Sequence, residues 1–321
     1  MVSHPNLDPE LRAGLEELFV PVFDASTATM ESIAGHRAGL QVMLAGIPAP
    51  ESDVVIENRH VPHPDGGPGL RLRVYQPAGS GTGWPCFYWV HGGGMILGTP
   101  EMDDHTLVGY VERLGCVVVS VDYRLAPEHP HPVPVEDCYA GLVWTAEHAA
   151  ELGIDLERLA VGGMSAGGGL AAATVLLARD RGGPAVAFQL LLSPMLDDRN
   201  ATPSSHEFTE SAFWNREANL FGWTALLGDR MGGDDVSPYA APARAEDLSG
   251  LPPAFIDVAE LEVFRDEDLD YARRLVQAGV STEFHLYPGG FHGFDALIPA
   301  TELSRRAVET RFAALSRAFQ R

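Results

Sequence analysis

Lysine is absent from this chain of 321 residues, so all 22 of its basic side chains other than histidine are arginine. This absence excludes a phosphate-binding P-loop with its lysine, a Schiff base on lysine, and the Ser-x-x-Lys nucleophile of penicillin-binding proteins. Positive charge is scarce as well, because 44 acidic residues bring the formal net charge to -22. Such a surface repels phosphate backbones and anionic lipid headgroups, so we expect neither nucleic acid nor a membrane surface as a partner.

Cysteine is also scarce. Cys86, Cys116 and Cys138 are widely spaced, and no Cys-x-x-Cys pair occurs to indicate a zinc site or a redox pair. The odd, low count fits thiols that act as small buried hydrophobes in a reducing compartment. The start of the chain, Met1–Glu10, lacks the basic-then-apolar pattern of a signal peptide, and no apolar run is long enough to span a bilayer. We therefore expect a soluble, cytoplasmic protein.

The distribution of apolar residues predicts helices first and then alternating strands and helices. In the first fifty residues, apolar side chains recur at helical spacing over 11–19 and 26–44. Beyond them, short apolar runs predict strands at 53–60, 70–75, 85–90, 116–121, 158–162, 187–192, 254–259 and 282–287. Helical stretches follow at 103–114, 136–152, 166–179, 267–278 and 302–319. This alternation is typical of a three-layer α/β fold with a mainly parallel sheet, here over residues 51–321, preceded by a helical segment over 1–50.

One segment, 197–233, interrupts the alternation and is rich in aromatic residues: Phe208, Phe213, Trp214, Phe221 and Trp223. Two interpretations remain open. The segment is either an outer-layer helix with a satellite hydrophobic cluster, or part of a cap that covers the active site together with the N-terminal helices.

The strongest local motif is Gly-x-Ser-x-Gly at 163–167, which contains Ser165. An apolar strand precedes it and a helix of small residues follows, which is the context that a nucleophile on a sharp strand-to-helix turn requires. The strained turn needs the smallest residues on both sides, and the helix N-terminus favours the negative charge that develops during attack. We therefore predict Ser165 as a nucleophile.

Three glycines follow His91 directly after the strand at 85–90. Without side chains, their backbone N–H groups can point into a cleft and bind a tetrahedral oxyanion, which needs two or three such donors. We expect one donor from Ala166, the residue after the nucleophile. The others should come from Gly93 and Gly94, with Gly92 as a further candidate. His91 itself fits a role in organising this loop by hydrogen bonding better than that of a base.

A general base is predicted at His292, in the run 289–294 just beyond the last predicted strand. A base must reach the serine from a loop at the carboxyl edge of the sheet, where ligands bind in α/β folds. The other histidines lack this placement: His129 and His131 lie in a proline-rich loop and His285 lies on a strand. His60 and His63 have no further ligand-type residues nearby, so no metal site is expected.

The acid that orients the histidine should follow the serine and precede the histidine, at the end of the strand predicted at 254–259. The residues alone leave four candidates open: Asp257, Glu260, Glu262 and Asp266. We expect the remaining carboxylates to cap the next helix or to pair with Arg265.

Taken together, these motifs resemble one enzyme family. His-Gly-Gly-Gly at 91–94, Val-Asp-Tyr-Arg-Leu-Ala-Pro-Glu-His at 121–129, the serine turn and Tyr-Pro-Gly-Gly-Phe-His-Gly-Phe at 287–294 are similar to those of the hormone-sensitive-lipase-like α/β hydrolases, the bacterial family IV esterases and lipases. The resemblance covers about residues 50–320 and implies an α/β-hydrolase fold with an N-terminal helical cap.

The resemblance also assigns roles to residues. It implies that Ser165 is the nucleophile and His292 the general base and acid. The family's acid motif, Asp-Pro-Leu-Arg-Asp-Glu, is matched here by Glu-Val-Phe-Arg-Asp-Glu at 262–267, which selects Glu262. Two departures stand out: Glu262 replaces the usual aspartate and adds one methylene, and Met164 replaces the aspartate or threonine that usually precedes the nucleophile.

The function that follows is a serine carboxylesterase that hydrolyses short- to medium-chain carboxylic esters through a Ser-His-Glu triad and an acyl-enzyme. No metal or organic cofactor is implied, the expected partner is a small-molecule ester, and a homodimer is left open. We expect Met95, Leu97, Phe213 and Trp214 to line the pocket. The alternatives are an amidase, lactonase or carbonate hydrolase on the same machinery, and a non-catalytic small-molecule receptor of the same fold.

Overall fold

The computed structural model describes residues 4–17, 28–62, 67, 69–79, 81–209 and 214–320. At its centre is a sheet of eight strands, as many as the sequence predicts in this part of the chain. The strands are β1 (Val55–Val61), β2 (Leu70–Gln76), β3 (Trp84–Val90), β4 (Val117–Asp122), β5 (Ile154–Met164), β6 (Phe188–Leu192), β7 (Ala254–Leu261) and β8 (Thr282–Phe291).

The strands lie side by side in the order β1-β2-β4-β3-β5-β6-β7-β8. Only β2 runs against its neighbours, and the pairs from β4 across to β8 are all parallel. The predicted mainly parallel sheet is thereby confirmed. Because parallel strands end at the same edge, the loops that follow β3, β5, β6, β7 and β8 all leave the sheet on one side.

Two strands, β5 and β8, differ most from the predicted bounds. β5 begins four residues before the predicted 158, since Ile154 pairs with Trp84 across an irregularity in the register, although Asp155 and Glu157 are polar. β8 continues past the predicted 287 to Phe291, which pairs with Leu261 of β7. Backbone pairing with a neighbouring strand, which side-chain patterns do not report, extends both strands.

The helices are α1 (Pro9–Glu17), α2 (Ile33–Ala45), α3 (Asp104–Leu114), α4 (Val133–Glu147), α5 (Ala149–Leu152), α6 (Ala166–Arg181), α7 (Pro203–Glu207), α8 (Arg216–Leu227), α9 (Arg265–Gln277), α10 (Phe294–Leu297) and α11 (Glu302–Phe319). The single helix predicted at 136–152 is wrong, because α4 ends before His148, whose ring contacts the Trp144 carbonyl at 2.8 Å. Helix α2 begins at Ile33 rather than at 26. Residues 18, 19, 26 and 27 of the predicted N-terminal helices lie outside the described residues.

The sheet separates two hydrophobic clusters and so forms the middle of three layers. On one face, residues of α3 and α11 such as Tyr110 and Phe312 pack against the sheet; on the other face, α4, α6 and α9 do so. Helix α6 buries 13 of its 16 residues, and its many alanines and glycines allow the close approach to the sheet. The central strands are apolar on both sides because both faces are covered.

The segment 197–233 contains α7 and α8. Helix α8 begins after Asn215, whose side chain accepts a hydrogen bond from the Ala218 N–H. The aromatic side chains of Phe208, Trp214 and Trp223 are buried in the same cluster as the α6 face of the sheet, and this corrects the interpretation of a satellite cluster. Phe213 lies outside the described residues. No helix in the described ranges is both long and apolar enough to cross a membrane.

Candidate active site

Five residues with side chains suited to catalysis lie at one edge of the sheet, each directly after the end of a strand. His91 follows β3, Ser165 follows β5, Ser193 follows β6, Glu262 follows β7 and His292 follows β8, each by one residue. The parallel strands therefore bring together residues that are far apart in the sequence.

Ser165 occupies the turn between β5 and α6 with φ 58° and ψ −124°. A side chain carbon at Gly163 would lie 2.3 Å from the Gly167 carbonyl oxygen, and one at Gly167 would lie 2.1 Å from the Val90 carbonyl oxygen. Only glycine fits these two positions, and together they allow the sharp turn that the motif predicts. A hydrogen bond from the Ser165 N–H to the Leu192 carbonyl, 2.8 Å, fixes the turn against β6.

His292 contacts Ser165 from the loop between β8 and α10. Its Nε2 atom lies 3.0 Å from the Ser165 Oγ atom. The edge of the ring packs against Phe264, with the ring centres 5.3 Å apart. On the other side, Nδ1 contacts the Glu262 carboxylate, so a proton on Nδ1 leaves Nε2 free to accept the serine hydroxyl.

Glu262 is fully buried behind the histidine. Its Oε2 atom contacts His292 Nδ1, and its Oε1 atom accepts two hydrogen bonds, from the Ala259 N–H at 2.7 Å and from the Ser193 hydroxyl at 2.7 Å. Both carboxylate oxygens are thus engaged, which fixes the orientation of this side chain.

The other three acid candidates have partners elsewhere. Asp257 pairs with Arg311 at 2.6 Å, and burial raises the pKa of its carboxyl to about 6. Glu260 accepts hydrogen bonds from the Asn6 side chain and the Gly289 N–H. Asp266 forms an ion pair with Arg265 and accepts a hydrogen bond from the Ser204 N–H. The sequence predicted such a pairing with Arg265 for a carboxylate outside the triad.

The glycine loop lies directly against the serine turn. A carbon at Gly92 would be 3.0 Å from the Met164 carbonyl oxygen, and Gly93 and Gly94 have φ values of 118° and 62° that favour glycine. The N–H groups of these last two residues make no hydrogen bond within the part of the chain that the structure describes. Ala166 is the first residue of α6, where a backbone N–H has no partner inside the helix. These N–H groups are therefore available to an anionic oxygen.

The His91 side chain organises the glycine loop. Its Nδ1 atom lies 2.8 Å from the Gly92 carbonyl oxygen, and its ring stacks on Tyr123 at 4.3 Å between centres. The Tyr123 hydroxyl in turn donates to the His91 carbonyl, and burial lowers the pKa of the imidazole. The ring is directed at the loop, whereas Ser165 Oγ contacts His292.

The four expected pocket residues have different surroundings. The ring of Trp214 packs over Gly94, where an added carbon would lie 2.1 Å from it, and its Nε1 atom donates to Asn219. Leu97 is half-buried against the core. Met95 is fully buried and exposes no side-chain surface. Phe213 lies outside the described residues.

No sequence motif marks Arg37 of α2 as a residue of the site. Its guanidinium donates to the Ile96 carbonyl at 2.8 Å, to the Ala126 carbonyl at 2.7 Å and to the Glu128 carboxylate. This one side chain connects α2 to the glycine loop and to the loop that contains the Asp-Tyr-Arg-Leu-Ala-Pro-Glu sequence. Nothing in the helical periodicity of α2 distinguishes this arginine from a solvated one.

A second contact links the early part of the chain to the end of β8, the strand that His292 follows. The Asp8 N–H donates to the Gly289 carbonyl at 3.1 Å. A carbon at Gly289, where φ is 77°, would lie 2.8 Å from the Asp8 nitrogen. The positive φ and this close approach explain why glycine stands here. Across the described ranges, no three His, Cys, Asp or Glu side chains gather so that they could hold a metal ion.

Comparison with known proteins identifies the family of this chain. The family model described as the alpha/beta hydrolase fold matches residues 87–296. The carboxylesterase NlhH of Mycobacterium tuberculosis is 37% identical over 325 residues, which cover 99% of this chain and 98% of that protein. The solved structure of a bacterial heroin esterase is 43% identical, covers 98% of both chains and has a TM-score of 0.91. A thermostable esterase from Pseudomonas putida ECU1011 is 32% identical, with a TM-score of 0.88 and 99% of both chains covered.

The chain belongs to the α/β-hydrolase fold family, in its hormone-sensitive-lipase-like branch. This confirms the fold class and the family that the motifs indicated. Within that class it is a carboxylesterase, a carboxylic ester hydrolase rather than a receptor of the same fold.

Proposed function

We propose that this carboxylesterase hydrolyses short- to medium-chain esters through a triad of Ser165, His292 and Glu262. The observation that carries the proposal is the continuous set of contacts from Ser165 Oγ to His292 Nε2, at 3.0 Å, and from His292 Nδ1 to the Glu262 carboxylate. A hydroxyl, an imidazole and a carboxylate in this sequence of contacts form an activated nucleophile.

The reaction proceeds in two halves. Ser165 Oγ attacks the ester carbonyl carbon while His292 Nε2 takes the serine proton, and the carbonyl oxygen becomes an oxyanion. The proton then passes from His292 to the alcohol oxygen, the C–O bond breaks and the acyl-enzyme remains. A water molecule attacks the acyl carbon, gives its proton to His292, and the carboxylic acid leaves as Ser165 recovers its proton.

The two charges that develop during the reaction, on the oxyanion and on the imidazolium, are stabilised by groups that are already in position. The N–H groups of Ala166, Gly93 and Gly94, with Gly92 as a further donor, bind the oxyanion. Glu262 holds the imidazole with Nδ1 protonated and stabilises the imidazolium that forms. Donors that need no reorganisation during the reaction are typically the largest single contribution to such catalysis.

The domain organisation that accompanies this chemistry is a helical cap over 1–50 on a catalytic domain over 51–321. The contacts of Arg37 with two loops of the site support this division, as does the position of Trp214 over Gly94, which adds 197–233 to the cap. The cap, with Leu97, Phe213, Trp214 and the loop at Met95, limits the length of the acyl chain.

The test is the hydrolysis of p-nitrophenyl esters from acetate to palmitate. We expect the rate to be highest with short and medium chains, and Ser165→Ala to lower kcat by a factor of about 10⁴ or more. Ser120→Ala is the matched control, because Ser120 is another buried serine, on β4, whose hydroxyl has no partner in the described part of the chain. Full activity in Ser165→Ala would contradict the triad, and a maximum at palmitate would contradict the chain length. Faster turnover of the matching anilides, lactones or carbonates would assign a different substrate to the same site.

A further inference from the structure

Ser193 is a buried serine in an unfavourable backbone conformation. It follows β6 directly, is 7% exposed and has φ 41°, in the left-handed region that side chains with a Cβ rarely adopt. Its N–H donates to the Asp257 carbonyl of β7 at 2.7 Å, so the neighbouring strand holds the backbone in place. A glycine would adopt this φ without strain. The serine offers what glycine lacks, a hydroxyl.

That hydroxyl donates to the triad acid. The Ser193 Oγ atom lies 2.7 Å from Glu262 Oε1, the oxygen that faces away from the histidine. The second donor to this oxygen, the Ala259 N–H, comes from β7, the strand that leads to Glu262 itself. One donor follows β6 and the other lies on β7, and together they leave Oε2 directed at His292.

The same short segment also contacts the nucleophile. The Met195 N–H donates to the Ser165 carbonyl at 3.0 Å, two residues after Ser193. The segment 193–195 therefore binds the residue at each end of the triad. A change in its position would alter the nucleophile and the acid together.

We propose that Ser193 is a positioning residue that fixes the orientation of Glu262 through its hydroxyl; the inference rests on the proposed role of Glu262 in the triad. A glutamate side chain has one more rotatable bond than the aspartate usual in the family. It therefore needs a further restraint to hold one carboxylate oxygen against the imidazole. The Ser193 hydroxyl supplies this restraint and also a hydrogen bond to a buried negative charge, which is stronger than one between neutral groups.

Two substitutions distinguish the effect of the Ser193 hydroxyl from that of its backbone conformation. Ser193→Ala and Ser193→Gly both remove the hydrogen bond, and only glycine relieves the left-handed conformation. We expect both to lower kcat about 10- to 100-fold, the range for a hydrogen bond to a charged group, with KM little changed. We also expect Ser193→Gly to be at least as thermostable as Ser193→Ala. A wild-type kcat in Ser193→Gly would overturn the inference, since the serine would then serve only the backbone.

Coupling with Glu262 provides the second readout. In a Glu262→Ala background, Ser193→Ala should lower the residual kcat by less than about twofold, because the acceptor of the hydroxyl is gone. An equal loss in both backgrounds would overturn the inference, because the serine would then act independently of the acid.

The same measurements distinguish this inference from the proposed function. If activity survives Ser165→Ala, both the proposed triad and the inference on Ser193 are contradicted. An inactive Ser165→Ala variant together with fully active Ser193 variants would remove the inference alone. Ser120→Ala again controls for the loss of a buried hydroxyl from the sheet.

Discussion

The catalytic edge of the sheet and the N-terminal helices are held in place by different means. At the edge, every candidate residue follows a strand, and the glycines have no room for another side chain: a carbon at Gly93 would be 2.2 Å from the Leu97 carbonyl oxygen. In α2, by contrast, a carbon at Gly35 or Gly39 would meet nothing within 4 Å. Ile33 is the single buried residue in α2, whereas α6 buries nearly its whole length.

This difference in packing affects two parts of the enzyme, the placing of the site residues and the attachment of the cap. The positions of the proposed nucleophile, base and oxyanion donors follow from backbone pairing and close packing, where even one added carbon disturbs the structure. The N-terminal helices each bury one apolar side chain, Leu11 in α1 and Ile33 in α2. Polar contacts of Arg37, and of Asn6 and Asp8 just before α1, add to this attachment. We therefore expect substitutions at the edge to act on turnover and those in the helices to act on the attachment of the cap.

Among the substitutions that compare the two regions, the largest effect is expected from Gly93→Ala. The added carbon collides with a backbone carbonyl, and φ 118° is unfavourable for alanine, so the loop must move and its oxyanion donors with it. Loss of one such donor lowers kcat by a factor of about 10² to 10³. Steady-state kinetics with p-nitrophenyl acetate, alongside circular dichroism to check folding, provide the measurement. A folded variant with the wild-type kcat would remove Gly93 from the oxyanion site.

The next effect concerns the pH dependence of stability near the edge. Asp103 accepts a hydrogen bond from Trp89 of β3, and burial raises the pKa of its carboxyl to about 6, from an ordinary value of 3.8. The folded state thus binds this proton more tightly than the unfolded state. The protonated Asp103 therefore contributes about 3 kcal/mol to the free energy of unfolding below about pH 4. This contribution is lost as the pH rises through 6.

Asp103→Asn should remove this decline, measured as the difference in unfolding free energy between wild type and variant from pH 4 to 7. Glu31, just before α2, is the comparison from the other region. Hydrogen bonds from its own backbone N–H and from Thr29 lower the pKa of its carboxyl, so its contribution is lost towards acid instead. An unchanged slope in Asp103→Asn would show that another group causes the decline.

A smaller effect is expected from Arg37→Ala. Two hydrogen bonds to carbonyl groups are lost, at about 1 kcal/mol each, and the partly exposed ion pair with Glu128 adds at most about 1 kcal/mol. Thermal unfolding and kcat/KM across the p-nitrophenyl series measure the consequence. Glu128→Gln keeps both carbonyl contacts and should change less. Equal effects in the two variants would show that the ion pair with Glu128, and not the carbonyl contacts, attaches α2.

The smallest effect is expected from Gly35→Ala, the same substitution as at Gly93 but in the open helix. Alanine favours helix over glycine by up to about 1 kcal/mol, so α2 should become slightly more stable. Activity should stay unchanged, because no atom of the site lies near the added carbon. A clear loss of kcat here would contradict the separation between the two regions.

The elements of the fold were largely readable from the sequence, since apolar runs mark strands that are buried on both faces. The proposed acid was not. Asp257, Glu260, Glu262 and Asp266 are close in sequence, and they differ in the partners that only the folded chain supplies. The family resemblance selected Glu262, the one of the four that the structure brings against His292.

Ser193 and Arg37 could not be identified from the sequence for the same reason. Ser193 meets Glu262 across 69 residues, and Arg37 meets Ile96 across 59. Neither residue stands in a motif, and neither disturbs the pattern of its element. The break between α4 and α5 was missed because the local interaction of His148 with Trp144 leaves the apolar spacing intact.

The contact between Asp8 and Gly289 has a consequence for how the protein is made. Leu7 and Leu11 are buried in the mature core, yet Asn6 binds Glu260, a residue 254 positions later in the chain. At about 5–20 residues per second, a ribosome needs roughly 10 to 50 seconds to complete the surface on which this early segment docks. During that interval the first helix leaves the tunnel without its partner, so its leucines are available to chaperones until the last strand emerges.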